Sequence, residues 1–147
     1  MSQLARKRTP VDLLALLPVD EEVVADLNRF ARAMLAHEHA GGKAVFCFNF
    51  GNITSSAART GDYFLLEARE FIDSKWVLKT QRYRAWPSAQ EGLDDFFDLL
   101  HRRYPDVLWW AFLNEPAKAV EALKAGGYFT APLELYLAGV MRYYVAS

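Results

Sequence analysis

The sequence predicts an α+β domain, mainly helical, with one small β-hairpin inserted after its first long helix. Three observations carry this reading. Helical segments recur along the chain, five of them beyond the arm. One pair of runs, "DYFLLEAREF" and "WVLKTQRYRAW", is instead rich in aromatic and β-branched residues and is split by Asp73-Ser74. Glycine and proline punctuate the chain at the joints between these segments.

Taken in order, residues 1–18 read as an N-terminal arm with one short apolar turn, "VDLLALL", ended by Pro18. Residues 19–147 read as a single domain. Asp20 is placed to cap the first long helix, with Glu21 and Glu22 favourable in its first turn. That helix runs to about His39, where Gly41-Gly42 stops it. A loop reaches to about Gly61, the hairpin follows, and Pro87 ends it. Ser88 and Glu91 have capping-box spacing and open a helix through "LDDFFDLLHRR". "PDVLWWAFL" reads as a short buried helix, with Trp109 and Trp110 in the core. Asn114 is placed to cap "EPAKAVEALKA", with Pro116 in its first turn and Gly126-Gly127 closing it. "APLELYLAGVMRYY" is the last helix.

Composition narrows the function classes. The 147 residues carry a net charge of −1, which gives no electrostatic case for nucleic acid or an anionic membrane. The basic run Ala5-Arg6-Lys7-Arg8 reads as a solvated terminus. Cys47 is the single cysteine, so no internal disulfide forms, and no apolar run approaches the ~20 residues of a membrane span. "VDLLALLPVDEE" is too short and too acidic for a signal peptide, so the expected site of synthesis is the cytoplasm, with no leader. Four Trp and seven Tyr suit a core, and equally a groove that stacks sugar rings.

Glu38 is the residue that stands out. At roughly 100° per residue, Val24, Leu27, Phe30, Ala31 and Met34 fall within a quarter-turn of it, so a carboxyl ends the core-facing stripe. A carboxyl there loses part of its water, which favours the protonated form that a general acid needs. The other reading is a glutamate at a helix end that turns to solvent. His37 and His39 lie about 200° apart on the helix and cannot chelate one metal, so neither a metal nor a cofactor is expected. Ser55, Ser56 and Cys47 lack a base partner in the sequence, which argues against nucleophilic hydrolase chemistry.

Three segments together resemble a known family. "AHEHAGGKAVFCFNFGNIT" is similar to the stretch of bacterial peptidoglycan hydrolases in which a catalytic glutamate ends a long helix, followed by a glycine turn and an N-x-x-G-N-I pattern; Asn49, Gly51, Asn52 and Ile53 match it. "KWVLKTQRYRAWPSAQEGLDDFFDLL" and "DVLWWAFLNEPAKAVEALKAGGYFTAPLELYLAGVMRYY" resemble the regions that follow. The family is glycoside hydrolase family 73, the β-N-acetylglucosaminidase domain of flagellar hydrolases and autolysins, and the resemblance spans about residues 20–145. It implies a lysozyme-like fold and cleavage of the β-1,4 bonds of peptidoglycan glycan strands. It implies Glu38 as general acid and Tyr128, of "GGYFTAP", as a groove residue of the catalytic set. The family's second carboxylate, in the hairpin, falls on Glu70; Glu67 lies on the alternate register, and the other reading of Glu70 is a strand glutamate paired with Arg69 or Lys75. The family's two threonines in the hairpin are absent, and its aspartate after Thr130 is Ala131. Asn49, Asn52 and the backbone at Gly51 are expected to bond the sugar's N-acetyl groups. Phe48, Phe50, Tyr128 and Phe129 are expected to stack on sugar faces, with core packing as the alternative for each. A lytic transglycosylase, using one carboxyl as acid and then base, and an inactive wall-binding module are the competing functions. Without a leader, the expected partners in delivery are a phage tail or a secretion machine.

Overall fold

The structure is a computed structural model, and it describes residues 8–17, 22 and 24–146. The predicted architecture is the one observed: a helical body with one antiparallel hairpin. Helix α2 (Ala25–Glu38) is the central element; α1 (Leu13–Leu16) precedes it. A 3-10 turn (Ala40–Gly42) and β2 (Val45–Phe46) lead from α2 to the hairpin, β3 (Tyr63–Ile72) and β4 (Lys75–Arg84). Four helices complete the chain: α3 (Ala89–Arg103), α4 (Pro105–Phe112), α5 (Pro116–Ala125) and α6 (Leu133–Ala146).

Residues 8–17 pack onto the domain instead of trailing from it. Arg8–Thr9 form β1, which pairs with β2, and Asp12 caps α1 by accepting from the Leu14 N–H at 3.0 Å. Leu17 enters the main core. The expected helix start at Asp20 and Glu21, and Pro18, lie outside the described residues, as do Ala5, Arg6 and Lys7. The first described residue of α2 is Ala25, with Val24 at the cap position and no side-chain cap bond.

One face of α2, carrying Phe30, Ala31, Met34 and Leu35, is buried to 2% exposure or less. It packs on α6 and α4, with Phe96, Leu100, Val107, Val120, Leu123 and Val140 completing the core. Burial of a large apolar side chain contributes roughly 1.5–3 kcal/mol, so this stripe fixes the rotation of α2 against its neighbours. Arg29 donates from Nε and Nη2 to the Tyr144 carbonyl at 3.1 and 2.8 Å, neutralising the C-terminal end of α6. Gly139 lets the two helices touch, since a Cβ there would collide with the His37 ring. That close approach brings Tyr136 to the end of α2, because residues three apart on a helix share a face.

The hairpin turns at Asp73 and Ser74, both at positive φ, as its two-residue loop requires. Its base is pinned by a small cluster of Cys47, Phe64, Tyr83 and Ala85 and by backbone bonds from β4 to residues 53 and 55. Arg84 also donates to Asp95 at 2.7 Å, tying the base to α3.

Two local expectations are corrected. Asn114 does not cap α5: Glu115 holds the cap position, while Asn114 sits at φ 60° and its side-chain oxygen accepts from the Tyr144 hydroxyl. Helix α4 is buried on one face only; Trp109 is 57% exposed, and Trp110 is half-buried with Lys118 over its ring. An eight-residue helix at the surface buries Val107 and Ala111 and leaves the opposite side to solvent.

Candidate active site

A groove of about 710 Å³ runs between the end of α2, the hairpin and the loop joining α5 to α6. Glu38 opens onto it from the last turn of α2, half-buried, as the helical phase dictates. Its Oε1 accepts from the Tyr136 hydroxyl at 2.5 Å, and its Oε2 accepts from Asn52 Nδ2 at 2.6 Å. The carboxyl is thus oriented from two sides, by α6 and by the loop that follows α2.

That loop is built to deliver Asn52. Asn49 is 2% exposed and works as a backbone substitute. Its Oδ1 accepts from the Ile53 N–H, and its Nδ2 donates to the carbonyls of Ile53 and Arg84, at 2.8 to 3.0 Å. Every polar group of its amide is engaged, so Asn49 organises the loop and offers nothing to a sugar. Phe50 is fully buried in the core. Phe48 packs against that core from its edge, and its carbonyl sits where a Cβ on Gly92 would be, outside the groove lining. Gly51 lines the groove because nothing larger fits: a Cβ would meet Phe96 and the Tyr128 hydroxyl at 2.9 Å. His39, buried, donates from Nε2 to the Phe50 carbonyl and braces the same loop from beneath. Of the six residues expected to hold substrate, Gly51, Asn52 and Phe129 line the groove, and Asn49, Phe50 and Phe48 build its support.

Tyr128 lines the groove, and its hydroxyl donates to the Gly51 carbonyl. The hydroxyl beside the general-acid candidate is instead that of Tyr136, which the sequence reading missed. Phe129 stacks on the Tyr136 ring, 3.8 Å between centroids at 5°. His37 meets the same ring edge-on at 4.5 Å. Burial, then the charge of Glu38, pushes the Tyr136 and Tyr128 phenols well above the ordinary tyrosine range. Both remain neutral donors. Burial pulls the His37 imidazolium down, and the nearby Glu38 charge opposes only part of that.

Glu70 faces Glu38's groove from β3, and Glu67, on the opposite face of the strand, is exposed and outside the lining. The two cations expected to pair with Glu70, Arg69 and Lys75, do not hold it. Its Oε2 accepts from Thr130 Oγ1 at 2.7 Å, and its Oε1 from Gln81 Nε2 at 3.5 Å. Lys124 fixes Thr130 in turn by donating to the carbonyls of Thr130 and Ala131 at 3.0 and 2.8 Å. Tyr83 lies within the field of both carboxyls: burial, then Glu70, then Glu38 push its phenol up to about 12. Among the described residues no cluster of three His, Cys, Asp or Glu side chains could hold a metal. Nor is any helix among them long and apolar enough to cross a membrane.

No family model matches the sequence, and no curated protein matches it. Solved structures do. A peptidoglycan hydrolase mutant from Sphingomonas sp. A1 superposes with a TM-score of 0.72 at 23% identity, covering 90% of each chain. The catalytic domain of the autolysin Auto from Listeria monocytogenes gives 0.63 at 18% identity, over 91% of this chain and 81% of that one. A C-terminally truncated glycoside hydrolase domain of Salmonella typhimurium FlgJ gives 0.56 at 18% identity, over 94% and 97%. Over nearly its whole length, then, the chain has the α+β lysozyme-like fold of these three proteins.

Proposed function

We propose that the protein is a peptidoglycan hydrolase that cleaves β-1,4 glycosidic bonds of the glycan strand, of the N-acetylglucosaminidase type, with Glu38 as general acid. The observation that carries this is the Glu38 carboxyl: it opens into the groove, held by Tyr136 and Asn52, with a second carboxyl, Glu70, lining the same groove. The fold shared with a peptidoglycan hydrolase and with a glycoside hydrolase domain supports it. In the reaction, protonated Glu38 gives its proton to the leaving-group oxygen, and the Tyr136 hydroxyl stabilises the carboxylate left behind. Positive charge develops at the anomeric carbon. Glu70, released from Thr130, meets that charge or takes a proton from the attacking water. Phe129 offers an aromatic face and Asn52 an amide to the N-acetylated ring.

One observation favours a lytic transglycosylase as the second reading. Both oxygens of Glu70 are already occupied, by Thr130 and Gln81, whereas a transglycosylase works with Glu38 alone. Mass analysis of the products from purified peptidoglycan separates the two. A hydrolase yields reducing ends that have gained one water; a transglycosylase yields 1,6-anhydro ends. Absence of either product at high protein concentration overturns both and leaves an inactive wall-binding module.

A further inference from the structure

The hairpin brings cations to the groove that the cleavage chemistry does not use. Lys79 lines the hairpin wall and is exposed. The register pairs Ala68 with Lys79 and Glu70 with Val77, so strand alternation puts Lys79 and Glu70 on the same face of the ribbon, the one that meets the groove. Arg69 and Trp76 belong to the other face and border the groove only along the ribbon's edge, where the Arg69 guanidinium carbon lies 5.1 Å from the Trp76 ring centroid. Arg84, also in the lining, is committed to Asp95 at 2.7 Å. Lys79 does not serve Glu70, which takes its hydrogen bonds from Thr130 and Gln81. Among the described residues Lys79 forms no ion pair.

A ring of N-acetylglucosamine is neutral and gives an ammonium group little to bind. A sugar bearing a free lactyl ether offers a carboxylate close to its ring; joining a peptide there turns that carboxyl into a neutral amide and moves the nearest carboxylate away. A flexible ammonium with three donors takes a carboxylate with little demand on direction. We propose that Lys79 is the cation of a subsite that selects glycans whose sugars carry a carboxylate substituent, with the Arg69 charge reinforcing it from the edge of the hairpin. The inference rests on the groove being a glycan site, as proposed above.

The test measures binding of two soluble hexasaccharides by calorimetry, with Glu38→Gln as the background that blocks cutting. One is the neutral N-acetylglucosamine oligomer; the other is a stem-free glycan with a lactyl carboxylate on alternate sugars. The background protein should prefer the acidic glycan, and the preference should shrink as salt rises. Adding Lys79→Met should reduce the preference roughly two- to fivefold, the range of one exposed ion pair. Lys79→Arg should restore it, and Lys118→Met, which removes the cation over Trp110, should leave it in place. The subsite is overturned if Lys79→Met keeps the preference, or if it weakens both sugars equally, as an effect transmitted through Glu70 or the fold would. The same sugars given to the chain with Glu38 intact keep the two claims apart. Preference without cutting sinks the hydrolase reading and leaves the subsite. Cutting with the preference unchanged in Lys79→Met does the reverse.

Discussion

Replacing Glu38 by glutamine should lower glycan cleavage at least ~100-fold, because general acid catalysis contributes roughly 10²–10⁴-fold. The same change should cost a little stability. Desolvation alone, as read from the helical wheel, says that a neutral side chain holds or stabilises the fold. The structure reverses the sign. Both carboxyl oxygens already accept short hydrogen bonds, at 2.5 Å from Tyr136 and 2.6 Å from Asn52. A hydrogen bond to a charged group contributes about 1.5–3 kcal/mol and a neutral one about 0.5–1.5. The exchange therefore costs about 1 kcal/mol per bond, less on the exposed Asn52 side. Glutamine also sets its own amide N–H against Asn52 Nδ2, and Asn52 must rotate its amide to present oxygen. The net loss is about 1 kcal/mol, which in a domain of this size lowers Tm by about 2–4 °C. Turbidity loss of purified peptidoglycan and thermal melting of the same samples measure both. Clearance at near wild-type rate refutes the catalytic assignment, and a variant melting several degrees higher refutes the hydrogen-bond argument.

Tyr136→Phe removes the hydroxyl from Glu38 and leaves the Phe129 stack in place, so turnover should fall about 10- to 100-fold by the worth of a bond to a charged group, with KM little changed. Glu70→Gln should lower turnover more than Glu67→Gln, because Glu70 lines the groove and Glu67 does not; equal activity of both variants with wild type supports a mechanism with one carboxyl. Burial holds His37 below its ordinary value, so the unfolded chain takes up this proton first as pH falls. The stability of the neutral ring is then present above about pH 6.5 and lost below it, and Tm should fall less steeply over that range in His37→Gln than in wild type. Hydrogen exchange should be faster in residues 62–86 than in α2, because the hairpin has only a small apolar cluster at its base and two exposed bonds at its far end; equal protection argues against this.

Element types were legible where one physical rule dominates. The 3.6-residue stripe of α2 and the split at Asp73-Ser74 needed no tertiary information. The place of Glu38 at the end of the core-facing stripe was legible for the same reason, whereas spacing alone left open whether it turns to solvent, and its role as general acid rests on the family resemblance. The phase of β3 likewise places Glu70 on one face and Glu67 on the other, but only the folded chain shows which face meets the groove. Asn49 and Phe50 show the opposite limit. An amide and an aromatic beside a glycine look the same in sequence whether they hold a ligand or hold their own loop, and here they hold the loop. Tyr136 was invisible because its partner lies 98 residues away. The one trace it leaves is Gly139, three residues on, a small residue where two helices touch.

Thr130 has a consequence for when Glu70 is free to act. It receives the Phe71 N–H at 3.0 Å and gives its own proton to Glu70 at 2.7 Å, so the far end of the hairpin is fastened to the loop between α5 and α6. If the groove takes a glycan strand, as proposed, Glu70 serves it only once this fastening has parted. Two exposed bonds of about 0.5–3 kcal/mol each leave the parted form a minority that forms unaided. On the proposed mechanism, turnover by way of Glu70 is then scaled, for long strands and short fragments alike, by the fraction of molecules in which this fastening is open.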